Sequence, residues 1–204
     1  LKGYNVNRAG QYEVIWQPTY DYQTYAAAGA TQFTFFQTTV GAAGATLATT
    51  NIRAAGQFPR PQEFLCTGIQ ILFTPGNVVA AGGVATAVAQ ENWNDVTDVL
   101  FGNAFLDLFI GSKSYLQDAP LAKFAQQFRI TGTADQADSS TAGVVNYHYV
   151  DYAVSCGRYY SITPVKIPAN QNFNVTLNFP AVIAVAVDAT IGVILDGFLY
   201  RLSQ

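Results

Sequence analysis

Alternation of apolar and polar residues is the dominant pattern along this 204-residue chain, and a period of two is the mark of half-buried strands. Its cleanest instance is Phe173-Asn174-Val175-Thr176-Leu177-Asn178-Phe179, which turns Phe173, Val175, Leu177 and Phe179 toward a core. Pro180 lacks the amide that a ladder needs and closes the segment. Tyr12 to Gln17 and Gln32 to Thr39 read as strands bounded by Gly, Pro and Thr clusters. From Phe64 to Thr74 the parity switches: Phe64 and Cys66 share one phase, Ile69, Ile71 and Phe73 the other. Gly68 sits at the switch, where a bulge lets both sets face one core. Further strands are predicted over Phe105 to Ile110, Phe128 to Thr131, Asn146 to Val154, Tyr159 to Thr163, Val182 to Val187 and Ile191 to Leu199, the last with a second bulge at Gly197.

Helical signals are few. Asn94 or Asp95 caps a short helix that runs to Phe101 and stops at Gly102. Asp95 and Asp98 then suit a helix N-terminus, which favours negative charge. Asp118 caps a single turn over Pro120 to Phe124. About ten strands with two helical turns predict an all-β sandwich or barrel. No domain boundary is visible; Val78 to Gln90 and Gly132 to Gly143 read as loops. The uncharged window Phe64 to Gln90 is broken at Pro75-Gly76-Asn77 and is too poor in bulky residues to span a membrane.

Composition narrows the function classes. Only 11% of residues are charged, against roughly 25% in an average domain. Together with 14% aromatic residues this excludes a disordered chain. The net charge is −3 and the ten basic residues stand singly, so no basic surface for nucleic acid is expected. Tyr22 to Ile52 carries no charge at all. Such a stretch either lies against another subunit or is a Thr, Gln and Ala surface without a partner.

Catalytic motifs are missing: there is no GxSxG elbow, no GxxxxGK[ST] loop and no HExxH. His148 is the one imidazole and lies in an alternating stretch, and Cys156 has only Arg158 nearby to activate it. Asp135 and Asp138 lack the dense loop of a calcium site. The chain is therefore expected to be neither an enzyme nor a holder of cofactor or metal. Cys66 and Cys156 are two buried thiols or one disulfide, and a domain of this size needs no crosslink, which favours thiols. The Asn174-Val175-Thr176 sequon falls inside a predicted strand, so glycosylation is not expected. The chain opens on Leu1 and contains no Met, so it is read as a processed or truncated start or as part of a longer chain.

Aromatics are the richer signal. Tyr12, Trp16, Tyr20, Tyr22 and Tyr25 are set among Gln, Asn and Thr near the start of the chain. Large amphipathic rings with few charges suit protein contact surfaces, so these five are the candidate subunit-interface residues. A carbohydrate site would use the same residue types, with Trp16, Trp93 or a Tyr pair beside Asn and Asp. Core packing claims some of the rings under any reading.

Several phrases occur together in a recognisable order. Gly56-Gln57-Phe58-Pro59-Arg60-Pro61-Gln62-Glu63-Phe64 resembles a "G-Q-(L/F)-P-x-P-x-x-F" segment and leads into Ile69-Gln70-Ile71-Leu72-Phe73. Ile110-Gly111-Ser112-Lys113-Ser114-Tyr115-Leu116 with Ala119-Pro120-Leu121 follows, and then Ile194-Leu195-Asp196-Gly197-Phe198-Leu199-Tyr200-Arg201. The series resembles the jelly-roll capsid proteins of tailless, often membrane-containing phages and related environmental viruses. That resemblance implies a single jelly-roll β-sandwich with elaborated loops and one or two short helices. Two tandem jelly rolls would leave about 100 residues each, which is thin for eight strands and their loops. Residues 1–30 would form an aromatic-rich arm or first strand, and 31–204 the jelly roll. The implied role is a virion structural protein, a major capsid protein or related shell component. It would self-assemble into an icosahedral shell in the host cytoplasm and reside in the virion. Its partners would be other copies, other virion proteins and an internal lipid membrane, without direct contact to nucleic acid. The alternative is a carbohydrate- or receptor-binding β-sandwich module.

Overall fold

The computed structural model describes residues 12–76, 90–125, 128–131, 151–154, 160–185 and 187–202. In chain order these form β1 (Tyr12–Trp16), β2 (Thr19–Tyr25), β3 (Gln32–Phe35), β4 (Glu63–Thr74), α1 (Gln90–Phe101), β5 (Phe105–Ile110), β6 (Lys113–Pro120), a 3-10 turn (Leu121–Lys123), β7 (Phe128–Thr131), β8 (Asp151–Val154), β9 (Tyr160–Ile167), β10 (Phe173–Asn178) and β11 (Ala189–Leu202). The fold is all-β, built on two antiparallel sheets with one short α-helix.

The larger sheet runs β1-β11-β4-β9, with β2 pairing the other half of β11. The smaller runs β3-β10-β5-β6. Their facing side chains belong to one core: Phe64, Ile69, Ile71, Phe73, Ile191, Val193 and Leu195 from the first, Phe33, Phe35, Leu106, Leu108, Val175 and Leu177 from the second. Alternation in β10 delivers what it predicts, since Phe173, Val175, Leu177 and Phe179 are all buried. The parity switch in β4 is also real. Register shifts between Cys66 and Gly68 against β9, and the matching break on β11 falls between Asp196 and Gly197. Both halves of β4 therefore bury their apolar sets. A side chain at Gly197 would collide with the Leu65 carbonyl, 2.0 Å from its Cβ position. The sequon sits in β10 between β3 and β5, and the Asn174 amide oxygen is buried there without a hydrogen-bond partner.

Several expectations are revised. Val182 to Val187 is not a strand over its described residues. Two of its backbone groups bond outside any ladder instead: Val185 N–H donates to the Ala27 carbonyl and the Ile183 carbonyl accepts from Tyr25 Oη. Helix α1 begins a turn earlier than its expected cap, at Gln90, so Asp95 and Asp98 lie in its middle and last turn and not at its N-terminus. Val96, Val99 and Leu100 form its buried stripe. The chain also divides into two compact units, Leu1–Ala125 with Tyr159–Gln204, and Gln126–Arg158. No composition shift marks that division; β7 and β8 complete their ladder with one another, and no other described strand joins them. Of the two forms expected for the start of the chain, an arm or a first strand, the described residues 12–25 take the strand form: β1 and β2 pair with β11 along almost its whole length. Residues 146–150, most of the two expected loops, Asp135, Asp138, His148 and Cys156 lie outside the described residues.

Candidate functional site

The five expected interface aromatics do not share one fate. β2 turns its odd-numbered residues inward, and Tyr25 is fully buried. Its ring packs against Phe33, Phe73 and Phe179, and its hydroxyl donates to the Ile183 carbonyl at 2.6 Å. Tyr25 is a core residue and leaves the interface set. The other four stand on the outer face of the larger sheet: Tyr12 and Trp16 are exposed, Tyr20 and Tyr22 half-buried. Tyr22 faces Gly192 across the ladder, and its ring occupies the space a Cβ there would need. Its neighbour Tyr20 lies 5.6 Å away between ring centroids. Burial, with the nearby Tyr20 second, raises the Tyr22 phenol above its usual range.

β11 and β4 add residues to the same face that alternation alone did not reveal. Cross-strand pairing sets Tyr12 beside Leu202, Val14 beside Tyr200 and Trp16 beside Phe198. The rows continue onto β4, with Tyr200 against Glu63 and Phe198 against Leu65. Farther along, Ile194 and Leu72 occupy outward positions. Trp16 is 67% exposed, Tyr12 51%, Leu202 48% and Phe198 39%. The available signal was the near-continuous apolar run of β4 and β11, because a strand with one face in water alternates and a strand covered on both faces does not. The smaller sheet shows the contrast. Its outer face carries Gln32, Thr34, Asp107, Asn174, Thr176 and Asn178, interrupted by Phe105 and Phe109. There Asn178 Nδ2 donates to Asp107 and the Asp118 amide caps the other carboxylate oxygen.

Few charges belong to the outer face of the larger sheet. Glu63 and Lys166 pair with each other at 2.6 Å. The Asp196 carboxylate is buried and accepts the Trp16 indole N–H at 2.8 Å.

A cleft of about 460 Å³ opens at the β1–β2 corner. Asn51 builds the corner, donating to the Pro18 carbonyl at 2.8 Å and accepting the Tyr20 amide at 3.0 Å. Tyr20 Oη closes the far side on the Leu47 carbonyl at 2.5 Å. Gln57, Gln62, Arg53 and Phe58 complete a lining of mixed polarity. Among the described residues no group of three or more His, Cys, Asp or Glu side chains could hold a metal ion. Cys66 is a free, buried thiol, and burial pushes it up to about 12. The Trp93 side chain lies outside the described residues. No described helix is long and apolar enough to cross a membrane.

The chain matches no protein-family model, no curated protein and no solved structure.

Proposed function

We propose that this chain is a virion structural protein, a major capsid protein or related shell component, that works by self-assembly into an icosahedral shell. The observation that carries the reading is the two-sidedness of the larger sheet. Its inner face makes the core, and its outer face carries an exposed aromatic and apolar patch at the β1 end, Tyr12, Trp16, Phe198 and Leu202, where the described Glu63 and Lys166 pair with each other. Apolar faces of that extent are association surfaces. On this reading the two sheets are those of a single jelly roll with elaborated loops, and the capsid-like phrases at Gly56 to Phe64 and Ile194 to Arg201 fall on its central strands and their approaches.

The protein would reside in the virion after assembly in the host cytoplasm, alongside other virion proteins. A net charge of −3 leaves packaged phosphate to be neutralised by something else, a lipid bilayer or a separate basic protein. Electron microscopy of native material tests the reading. Closed shells built of this chain are expected; monomers alone, at every concentration and in every particle fraction, would refute it.

The corner cleft favours a second reading, a carbohydrate- or receptor-binding module. It combines Tyr20 with Asn51, Arg53, Gln57 and Gln62, and its volume lies in the range of small-ligand sites. Glycan binding that Arg53→Ala and Gln57→Ala abolish, in a chain that does not assemble, would establish it in place of the first.

A further inference from the structure

We infer that the outer face of the larger sheet is a self-recognition surface, on which a second copy of this chain packs the same face about a two-fold axis. The inference rests on the assembly reading and assigns the surface and the partner.

Size is the first argument. β11 runs 14 residues, and β1, β2, β4 and β9 run 5, 7, 12 and 8, so the strands of this sheet cover about 730 Å². That is close to the roughly 800 Å² that each partner contributes to a stable interface. Chemistry is the second. Two exposed aromatic anchors, Trp16 and Phe198, stand side by side near one end of the face, with Tyr12 and Leu202 beyond them. Aromatic anchors of this kind carry most of the binding energy in protein contacts.

Charge selects the partner. A face that meets its own copy meets its own charges, so like charges there would oppose the contact. Here Glu63 and Lys166 cancel each other, and Asp196 is screened beneath the Trp16 indole. An anionic lipid or a nucleic acid would require uncompensated cations, and Lys166, the basic residue of this face among the described residues, is already paired. Two-fold symmetry follows from self-complementarity, since an isologous contact uses the same patch on both copies.

The test is sedimentation velocity on the full chain over a wide concentration range. The native protein should associate, and the double variant Phe198→Glu/Leu202→Glu should associate about 100-fold more weakly, because two carboxylates per copy would be buried unpaired. Its circular dichroism should be unchanged. Gln32→Glu, on the outer face of the smaller sheet, should associate like the native chain. Equal association of native and double variant overturns this inference while leaving the assembly reading standing. A native chain that stays monomeric throughout overturns both. If the double variant does not fold, hydroxyl-radical footprinting of the native chain decides: Tyr12, Trp16 and Phe198 should become protected on association, and unchanged labelling overturns the inference. Vesicles of phosphatidylcholine provide the last arm. Native binding to them that Phe198→Glu abolishes, with self-association intact, overturns the inference in favour of a lipid surface.

Discussion

Trp16 and Asp196, 180 residues apart in sequence, are joined by a hydrogen bond of 2.8 Å from the indole Nε1 to the carboxylate Oδ1. The bond ties the end of β1 to the bulge of the β4–β11 ladder, where pairing shifts between Asp196 and Gly197. It also resolves an awkward composition, a carboxylate only 4% exposed beneath a ring that is itself 67% exposed. The ring spends its polar edge inward and presents its apolar body outward, which suits a residue that is both a structural tie and a contact anchor.

Trp16→Phe keeps most of that apolar body and removes the donor. The Asp196 carboxylate then loses a charge-assisted bond in a buried setting, at an expected cost of about 1–3 kcal/mol. Urea unfolding of the isolated chain measures it. Asp196→Asn, which keeps an acceptor and sheds the charge, should cost less. Equal stability of Trp16→Phe and the native protein would show that the bond contributes nothing.

The thiol of Cys66 should be chemically silent in the native state. Burial comes first among the causes that push it up to about 12, with the Asp196 carboxylate also disfavouring the thiolate; the sulfhydryl lies 3.4 Å from the Gly68 carbonyl. Since the thiolate is the reactive form, iodoacetamide at pH 8 should leave Cys66 unmodified until the chain is unfolded in urea. Peptide mapping by mass spectrometry separates this residue from Cys156. Alkylation of Cys66 at the rate of a free thiol under native conditions would contradict the burial.

Leu177, the next-to-last residue of β10, lies between Phe33 of β3 and Leu106 of β5 in the cross-strand register and is fully buried. Leu177→Ala should cost about 2–5 kcal/mol through lost transfer energy and the cavity left behind. Thr176→Ala, one residue away on the outer face, should cost far less. Comparable losses at both positions in denaturant titrations would mean that the two faces are not distinguished as described.

How far the sequence discloses this architecture depends on which residues point inward. β10 is plain because its inward positions are apolar and its outward ones polar, and β4 because Gly68 marks the change of phase. β2 is hidden because it inverts the rule. Thr19, Asp21 and Gln23 share the inward phase with Tyr25, while Tyr20 and Tyr22 face out. An alternation argument run on that segment sends the aromatics to the core. β6 is hidden for another reason: it is an edge strand, mostly exposed, with two register shifts against β5, so it has no alternation to detect. Val182 to Val187 errs in the opposite sense, as an apolar run that bonds to Ala27 and to the Tyr25 hydroxyl and joins no ladder over its described residues. The aromatic cluster near the start of the chain was legible as a surface, but Tyr25 was not separable from Tyr22 without knowing the phase of β2. Phe198 and Leu202 were legible only through the near-continuous hydrophobicity of β11, which requires an apolar face on each side.

The inverted phase of β2 leaves a buried carboxylate, and pH should expose it. Asp21 is 2% exposed and accepts the Phe36 amide at 2.6 Å, with Gln23 Nε2 at 3.5 Å. The contact holds Phe36 at a φ of 69°, a left-handed conformation that a bulky residue adopts only when its surroundings impose it. Burial raises the Asp21 carboxyl above its ordinary value of 3.8, and the bonds from Phe36, Gln23 and Thr50 only partly offset this. The sign follows from proton counting. Below the ordinary value both folded and unfolded states are protonated at Asp21, and nothing is lost. As pH rises from there through the raised folded value, the unfolded state releases its proton first and stability falls; above the folded value the loss is complete. Asp21→Asn keeps an acceptor for the Phe36 amide and removes the titration. The difference in unfolding free energy between variant and native protein should therefore shift in the variant's favour as pH rises from the ordinary value of 3.8 through the raised folded value, and stay flat above it. Stability profiles that stay parallel as pH rises above 3.8 would show that the Asp21 carboxyl titrates alike in the folded and unfolded chain.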